Sequence, residues 1–244
     1  MTKRIDVVVG SAERLAADFT RLTSALAADA IRERRRFTLA IPGGSVVERL
    51  ISFLPEAPID WSRVDLFWCD ERCVPPTDPE SNFAAAQRYL LNPIAPPGPR
   101  VYRMRGEDED QVLAARLYAT ELESTLGTPP RLDLVVLGVG EDGHVCSLFP
   151  GHRALNELVD WVVVEPASPK PPPVRLTMTL PMIAAARHVV AAAFGSAKAP
   201  VVREALEDAE VSALPIALAL RNAAWATVYL DDAAASMLKR DTPI

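Results

Sequence analysis

Residues 132–151 constrain the fold of this 244-residue chain more than any other stretch. Residues 132–137 form an apolar run with a single acidic residue, which is typical of a strand buried on both faces. A glycine-rich turn follows, in which Asp142 and His144 stand beside three glycines. Strands buried on both faces occur in parallel sheets covered by helices, so the stretch predicts an α/β fold with reactive side chains at a strand end.

Strand and helix patterns alternate along the rest of the chain. Short apolar or β-branched runs predict strands at residues 5–9, 37–41, 64–68, 132–137, 161–165, 188–194 and 224–230, and near Val101. Helical spacing of apolar residues predicts helices after Ser11 and Ser45, at 82–91 and 107–125, around 201–206 and 214–220, and at the C-terminus. This alternation predicts a three-layer α/β fold, a mostly parallel open sheet with helices on both faces, as a single domain over residues 1–244.

Composition and charge exclude several classes of protein. The chain is 49% hydrophobic, which is ample for a sizeable core, and its net charge is −6. Its one basic cluster, residues 32–36, is predicted to be the solvated end of a helix, so neither nucleic acid nor an anionic membrane is expected as a partner. No apolar run reaches the length of a membrane span, residues 1–5 do not resemble a signal peptide, and the three cysteines are expected to be reduced. We therefore expect a cytoplasmic protein.

Four predicted strand ends carry glycines or charged side chains. They are residues 42–45, 70–72, 138–144 and 195–198. The carboxyl ends of parallel strands share one edge of a sheet, where such folds bind their ligands, so these segments are expected to meet. Their convergence is the main argument from sequence for a functional site.

The segment Gly43-Gly44-Ser45 has the features of a phosphate-binding turn. Glycines expose backbone N–H groups without obstruction, and the start of a helix favours an anion. No lysine follows the glycines, so this is not a nucleoside-triphosphate P-loop. Arg175 and Lys198, near other strand ends, are candidate cations for the same phosphate. The alternative is a tight strand-to-helix turn capped by Ser45.

His144 is the best candidate for acid–base chemistry among the three histidines. It lies in a glycine loop two residues after Asp142, whereas His152 and His188 have no comparable setting. Residues 70–72, Asp-Glu-Arg, place two carboxylates and a guanidinium after another strand. The alternatives are a structural histidine and an ion-paired loop.

Two other kinds of site match the sequence in part. The glycines of residues 138–143 have the spacing of a dinucleotide-binding turn, but the Phe-Pro-Gly of residues 149–151 leaves no room for the helix that this turn requires. The three cysteines and His144 do not have the spacing of a usual zinc site. The sequence therefore predicts neither a nucleotide cofactor nor a metal.

Five segments together resemble the 6-phosphogluconolactonase family. They are residues 40–45, 68–75 with Ser81 and Asn82, 137–151, 175–177 and 195–198. Val46 and Cys146 depart from the residues frequent in the family, but neither change removes a side chain that the chemistry needs. The resemblance implies the Rossmann-like fold shared with glucosamine-6-phosphate deaminase. It also implies hydrolysis of 6-phospho-D-glucono-1,5-lactone to 6-phospho-D-gluconate in the oxidative pentose phosphate pathway.

The resemblance implies roles for individual residues. His144 would be the acid–base group, Asp142 would orient its imidazole, and Arg72 would balance the charge of the oxyanion. The phosphate would be bound by Gly43, Gly44, Ser45, Arg175 and Lys198, with Asp70 and Asn82 as further candidates for the site. No cofactor is implied. The expected partner is a small-molecule sugar phosphate, and a monomer or small homo-oligomer is expected.

Two other functions fit parts of the sequence. Glucosamine-6-phosphate deaminases share the phosphate loop and the Asp-Gly-His turn, but they typically have a tyrosine at the position of Arg72 and a glutamate at that of Phe149. A non-catalytic sugar-phosphate sensor would carry a DNA-binding segment, and no basic helix-turn-helix pattern is evident. Both differences favour the lactonase.

Overall fold

Two sheets organise the structure, a computed structural model that describes residues 4–239. Within this range the strands are β1 (Arg4–Val9), β2 (Phe37–Ile41), β3 (Val64–Trp68), β4 (Asp70–Arg72), β5 (Arg100–Tyr102), β6 (Leu134–Gly138), β7 (Val162–Glu165), β8 (Arg175–Met178), β9 (His188–Ala193) and β10 (Trp225–Leu230). Seven of them form a parallel sheet in the order β1-β10-β9-β6-β2-β3-β5, and three form a small antiparallel sheet in the order β4-β8-β7.

Helices cover both faces of the parallel sheet. They are α1 (Ala12–Arg34), α2 (Ser45–Arg49), α3 (Asn82–Ala86), α4 (Gln111–Leu126), α5 (Leu180–Ala184), α6 (Ala199–Glu207) and α7 (Pro215–Asn222). Every residue of β3 and of β9 is buried, which requires cover on both sides. The predicted three-layer α/β fold is confirmed.

The chain leaves the middle of the parallel sheet in two directions. From β2 it adds β3 and β5 on one side, and from β6 it adds β9 and β10 on the other. β2 and β6 are neighbours, paired at Leu39 with Leu134 and at Ala40 with Val135. The loops after these two strands diverge, and open α/β sheets bind their ligands in the crevice formed at such a point.

Helix α1 begins after Ser11, as predicted, and the Ser11 hydroxyl accepts a hydrogen bond from an amide of the first turn. Its basic end is not merely solvated. Arg34 lies 3.0 Å from the carboxylate of Asp133, and Arg36 forms a bidentate ion pair with Asp65. Both carboxylates are buried at the amino edge of the sheet, where an unpaired charge would be costly. Residues 32–35 are exposed, as expected of a solvated helix end, and the prediction is wrong for Arg36, which is half-buried.

The small sheet was only partly predicted. β7 matches the expected strand at 161–165, but β4 was expected to be a loop. Its residues pair with β8, which places Asp70 opposite Thr177 and Arg72 opposite Arg175. A three-residue charged strand has no apolar alternation, so its conformation comes from this tertiary pairing.

The predicted start of one helix and the predicted terminal helix also differ from the structure. Helix α4 begins at Gln111 instead of residue 107, because the Asp110 carboxylate accepts a hydrogen bond from the Leu113 amide at 2.9 Å and caps the helix there. The expected terminal helix is a series of turns over residues 232–237, and residues 240–244 lie outside the described range. No helix in residues 4–239 is long and apolar enough to cross a membrane.

His188 is buried at the amino end of β9. Its Nε2 lies 2.9 Å from the hydroxyl of Thr227, and its ring stacks on Trp225 with centroids 5.8 Å apart. Burial lowers the pKa of His188 from 6.5 to about 4. The folded protein therefore contains the neutral ring at neutral pH.

We predict that His188 makes the folded state sensitive to acid. The imidazole of His188 takes up a proton near pH 6.5 in the unfolded chain but only near pH 4 in the folded chain. The contribution of the neutral ring to the free energy of unfolding is therefore complete above pH 6.5 and is lost as the pH falls toward 4. The loss should approach about 3 kcal/mol. Urea unfolding of the wild type and of His188→Gln at about pH 7 and about pH 4.5 measures it. The variant should depend less on pH, and equal pH dependence in the two proteins would contradict the prediction.

Candidate active site

A cleft of about 290 Å³ lies at the carboxyl edge of the parallel sheet, where the four predicted strand ends meet. It is lined by Pro42, Gly43, Gly44, Ser45, Val46, Asp70, Arg72, Asn82, Gly138, Val139, Gly140, His144, Cys146, Phe149, Lys170, Pro171, Arg175, Ala192, Phe194 and Lys198. Of the ten site residues predicted from sequence, nine line the cleft, and the tenth, Asp142, contacts His144. Their chemical roles stay predictions.

The Gly43-Gly44 turn opens the start of α2 to the cleft. Gly44 has φ +70°, which favours glycine, and a Cβ on Gly43 would lie 1.8 Å from the amide oxygen of Asn82. Helix α2 begins at Ser45 with Gly44 at the capping position, and no side chain caps it. The alternative in which Ser45 caps the helix is wrong. The first amides of such a helix have no acceptor within it and can bind an anion.

The loop 139–144, here called the histidine loop, holds His144 against Asp142. The Nδ1 atom of His144 lies 2.5 Å from Oδ1 of Asp142, and the Gly140 amide donates to the His144 carbonyl at 2.8 Å. A Cβ on Gly140 would lie 2.0 Å from Nδ1, so the loop itself needs this glycine. A carboxylate only accepts hydrogen bonds, so Asp142 places the proton on Nδ1 and leaves the lone pair of the neutral ring on Nε2.

Opposing effects set the charge of this pair. Burial lowers the pKa of His144 from its usual 6.5, and the hydrogen bond and charge of Asp142 oppose that change. Burial would raise the pKa of Asp142, but its hydrogen bond and attraction to His144 outweigh this and lower it. At neutral pH the pair is a neutral imidazole and an ionised carboxylate, which is the protonation state of a general base.

Two arginines enter the cleft from the small sheet. Arg175 is buried and donates to the carbonyls of residues 170–172 at 2.9 to 3.1 Å. Arg72, opposite it on β4, donates to the Glu80 carbonyl at 2.5 Å and lies 3.7 Å from the Glu80 carboxylate. Burial and the nearby charge of Arg72 lower the pKa of Arg175. Two guanidinium groups on paired residues of neighbouring strands, both lining the cleft, favour an anion there.

Two lysines add to the positive charge. Lys198 ends the short 3₁₀ helix Ser196–Lys198 after β9, and its Nζ lies 3.7 Å from Oε1 of Glu141. Burial lowers the pKa of Lys198, and the charge of Glu141 opposes this. Lys170 lies on the proline-rich segment 166–173, which is mostly exposed. Sequence reasoning missed Lys170, because a lysine in an exposed loop gives no sign of its distance from a site. The one local feature that could have drawn attention to this lysine is the Lys-Pro-Pro-Pro run that it begins.

The buried carboxylate of Asp70 connects the walls of the cleft. It accepts hydrogen bonds from the Ser147 hydroxyl at 2.7 Å and from the side-chain amide of Asn82 at 3.2 Å. The backbone amide of Ser147 in turn donates to the Thr177 hydroxyl at 3.1 Å. Ser147 and Thr177 were not predicted as site residues, although both lie in segments that carry the family resemblance. Asp70 and Asn82 therefore position other residues of the site.

Glu71 faces away from the cleft and caps α3. Its carboxylate accepts hydrogen bonds from the amides of Arg72, Asn82 and Phe83 at 2.7 to 2.8 Å and from the Ser81 hydroxyl at 3.1 Å. Burial raises the pKa of Glu71, and the backbone amides oppose this. The alternative of an ion-paired loop at residues 70–72 therefore describes only Arg72, which pairs with Glu80.

The cysteines give no sign of a metal site or a nucleophile. Among residues 4–239, no group of three or more His, Cys, Asp or Glu side chains is arranged to hold a metal ion. Cys146 lines the cleft, but a hydrogen bond with Cys69 and burial raise the pKa of its thiol well above the usual range. A thiol that stays protonated is a poor nucleophile.

Known proteins of similar sequence and structure identify the family of this chain. The family described as "Glucosamine-6-phosphate isomerases/6-phosphogluconolactonase" matches residues 10–228. A 6-phosphogluconolactonase of Streptomyces coelicolor is 41% identical over 226 residues, which are 87% of this chain and 86% of that protein. The Rattus norvegicus 6-phosphogluconolactonase is 40% identical over 243 residues, which are 95% of this chain and 92% of that protein. The solved structure of 6-phosphogluconolactonase from Trypanosoma cruzi has a TM-score of 0.86 at 29% identity and covers 98% of each chain. The chain belongs to the glucosamine-6-phosphate isomerase and 6-phosphogluconolactonase family.

Proposed function

We propose that the protein hydrolyses 6-phospho-D-glucono-1,5-lactone to 6-phospho-D-gluconate, the second step of the oxidative pentose phosphate pathway. The observation that carries the proposal is that one cleft contains His144, paired with Asp142, together with an open Gly-Gly turn and four cationic side chains. The histidine can activate water, and the turn and cations can bind a phosphate. The similar proteins are named 6-phosphogluconolactonases.

His144 is the base for the attack of water. Its Nε2 takes a proton as the water oxygen bonds to C1 of the lactone, and the carbonyl oxygen becomes an oxyanion. Asp142 stabilises the imidazolium that forms. Collapse of the intermediate breaks the bond between C1 and the ring oxygen, which leaves with the proton that His144 returns. The products are a carboxylic acid, which ionises, and a hydroxyl group.

The phosphate and the lactone carbon use different parts of the cleft. The backbone of residues 43–45 binds the phosphate together with Arg175, Lys198 and Lys170. Arg72, held in place by its contacts with Glu80, balances the charge of the oxyanion. Binding the phosphate holds the lactone carbon near the base, so contacts remote from the reacting bond increase the rate.

Phe149 favours lactone hydrolysis over the release of ammonia. Its ring is 1% exposed and packs against the ring of His144 with centroids 4.6 Å apart. The deaminases that the sequence also resembles typically have a glutamate at this position. A phenyl ring can neither donate nor accept the proton that such a glutamate would transfer. Release of ammonia from glucosamine 6-phosphate would favour the deaminase instead.

We also propose that residues 1–244 form a single domain that acts in the cytoplasm as a monomer or small homo-oligomer without a nucleic-acid partner. Both sheets contribute residues to one cleft, which supports a single domain. The three cysteines are free thiols, as in a reducing compartment, and the net charge of −6 disfavours binding to a polyanion.

We predict that His144→Gln lowers kcat by roughly 10²-fold or more, whereas binding of 6-phosphogluconate is retained, because only the base is removed. Freshly made lactone is followed with a coupled 6-phosphogluconate dehydrogenase, and spontaneous hydrolysis is subtracted. His188→Gln, at the opposite edge of the sheet, is the control and should keep kcat. A near-wild-type kcat in His144→Gln would exclude His144 as the base.

We predict an acid limb in the pH profile of kcat/KM. The rate should fall as His144 takes up a proton, with a midpoint below 6.5 because burial lowers its pKa. Asp142→Asn removes a carboxylate that raises this pKa, so the limb should move to still lower pH while the plateau of kcat falls on the order of 10-fold or more. Profiles of the two proteins from about pH 4.5 to about pH 8 check this. A limb that stays in place or moves upward would contradict the pairing.

We predict that Lys198→Gln and Lys170→Gln weaken inhibition by inorganic phosphate about 10-fold each and change kcat less than KM, because a charged hydrogen bond to the anion is lost. Competition assays with the lactone measure the inhibition constants. Arg116→Gln removes an exposed arginine of α4 outside the cleft lining and is the matched control. Unchanged phosphate inhibition in both lysine variants would place the phosphate elsewhere.

A further inference from the structure

Glu141 connects the two parts of the cleft. It directly precedes Asp142 in the histidine loop, and its Oε1 lies 3.7 Å from Nζ of Lys198. The Glu141 side chain is 64% exposed, whereas that of Lys198 is 19% exposed. The lysine is therefore a cation of the cleft, and the carboxylate reaches it from the rim.

This contact differs from those of the two cleft arginines. Arg175 donates to main-chain carbonyls, and Arg72 pairs with Glu80, which follows it on the same wall. Among the described ion pairs of the cleft cations, that of Lys198 is the one formed with the histidine loop. The phosphate side and the reaction side are thus joined by an ion pair.

The pair is suited to exchange for a ligand. An ion pair with one well-exposed partner and a separation of 3.7 Å is weak and easily replaced. A phosphate dianion carries twice the charge of a carboxylate and several acceptor oxygens, so it can take the lysine from Glu141. After the exchange the Glu141 carboxylate lies in water at the rim, next to a bound anion.

Hydrolysis increases the repulsion that this carboxylate exerts. The proposed substrate carries negative charge only on its phosphate, whereas the product also carries a carboxylate at C1. C1 reacts beside His144, which is three residues from Glu141 in the same loop. The charge of Glu141 therefore disfavours the product more than the substrate.

We propose that Glu141 adjusts the affinity of the cleft for its ligands: it pairs with Lys198 before substrate binds, competes with the phosphate for this lysine, and weakens retention of the product. The inference rests on the proposed function and adds a residue to it. Glu141 is a positioning residue and does not contact the reacting atoms. It acts through Lys198 and through its charge.

Glu141→Gln tests the proposal, because it keeps the shape of the side chain and removes its charge. Titration calorimetry should show about twofold to fivefold tighter binding of inorganic phosphate and a larger gain for 6-phosphogluconate. Both gains should shrink as the salt concentration is raised. Glu109→Gln, an equal change of net charge at an exposed position outside the cleft lining, should leave both dissociation constants unchanged.

The double variant Glu141→Gln/Lys198→Gln tests whether the effect passes through the lysine. In the Lys198→Gln background, adding Glu141→Gln should tighten phosphate binding by a clearly smaller factor, because the competition for the lysine has been removed and only the repulsion between Glu141 and the anion is left. The same gain in both backgrounds would overturn the competition. Unchanged or weaker binding in the single variant would overturn the proposal as a whole.

Lactone turnover by the wild type separates this inference from the proposed function. Turnover with unchanged ligand binding in Glu141→Gln would reject the role of Glu141 alone. A wild type that neither hydrolyses the lactone nor binds phosphate would reject both.

Discussion

The arrangement of the cleft depends on the buried carboxylate of Asp70. Its two oxygens accept hydrogen bonds from Ser147, just after the histidine loop, and from Asn82, the first residue of α3. Asn82 also fills the space in which a side chain on Gly43 would lie. One buried anion therefore fixes the relative positions of the phosphate turn and the histidine. If the carboxylate were lost, the Asn82 amide would keep its bond to the Asp70 backbone carbonyl at 2.8 Å, but the buried Ser147 hydroxyl would lose its acceptor, which costs more than the bond itself contributes.

Strand alternation lets β4 contribute both to the cleft and to its support. Side chains of a strand point alternately to opposite faces, so Asp70 and Arg72 face the cleft while Glu71 faces α3. Antiparallel pairing with β8 then places Arg175 and Thr177 on the cleft side. The parallel sheet delivers loops to the cleft at its strand ends, whereas the small sheet presents side chains from strand faces. The two sheets supply different kinds of contact.

The predictable part of the structure is the part that local pattern determines. The apolar runs of the parallel strands predicted the main sheet, and the glycines beside His144 predicted the loop that holds it. Pairing between distant segments was not predictable in the same way. Nothing in the sequence near Arg36 indicates that Asp65 is its partner, and the charged residues of β4 have no alternation. The place of Lys170 in the cleft was unpredictable for the same reason. It is set by hydrogen bonds from the distant Arg175 to the carbonyls of the loop that carries the lysine.

The carboxylates of the cleft reconcile two conflicting electrostatic requirements. A site for a phosphate needs positive charge, but positive charge lowers the pKa of a nearby histidine and weakens it as a base. Lys170 acts on His144 in this direction, adding to the effect of burial, while Asp142 and Asp70 act in the opposite direction. A cleft with cations alone would bind the anion more tightly and would contain a poorer base. The two acids keep the imidazole basic enough to accept a proton from water, although the cleft that surrounds it is built to bind an anion.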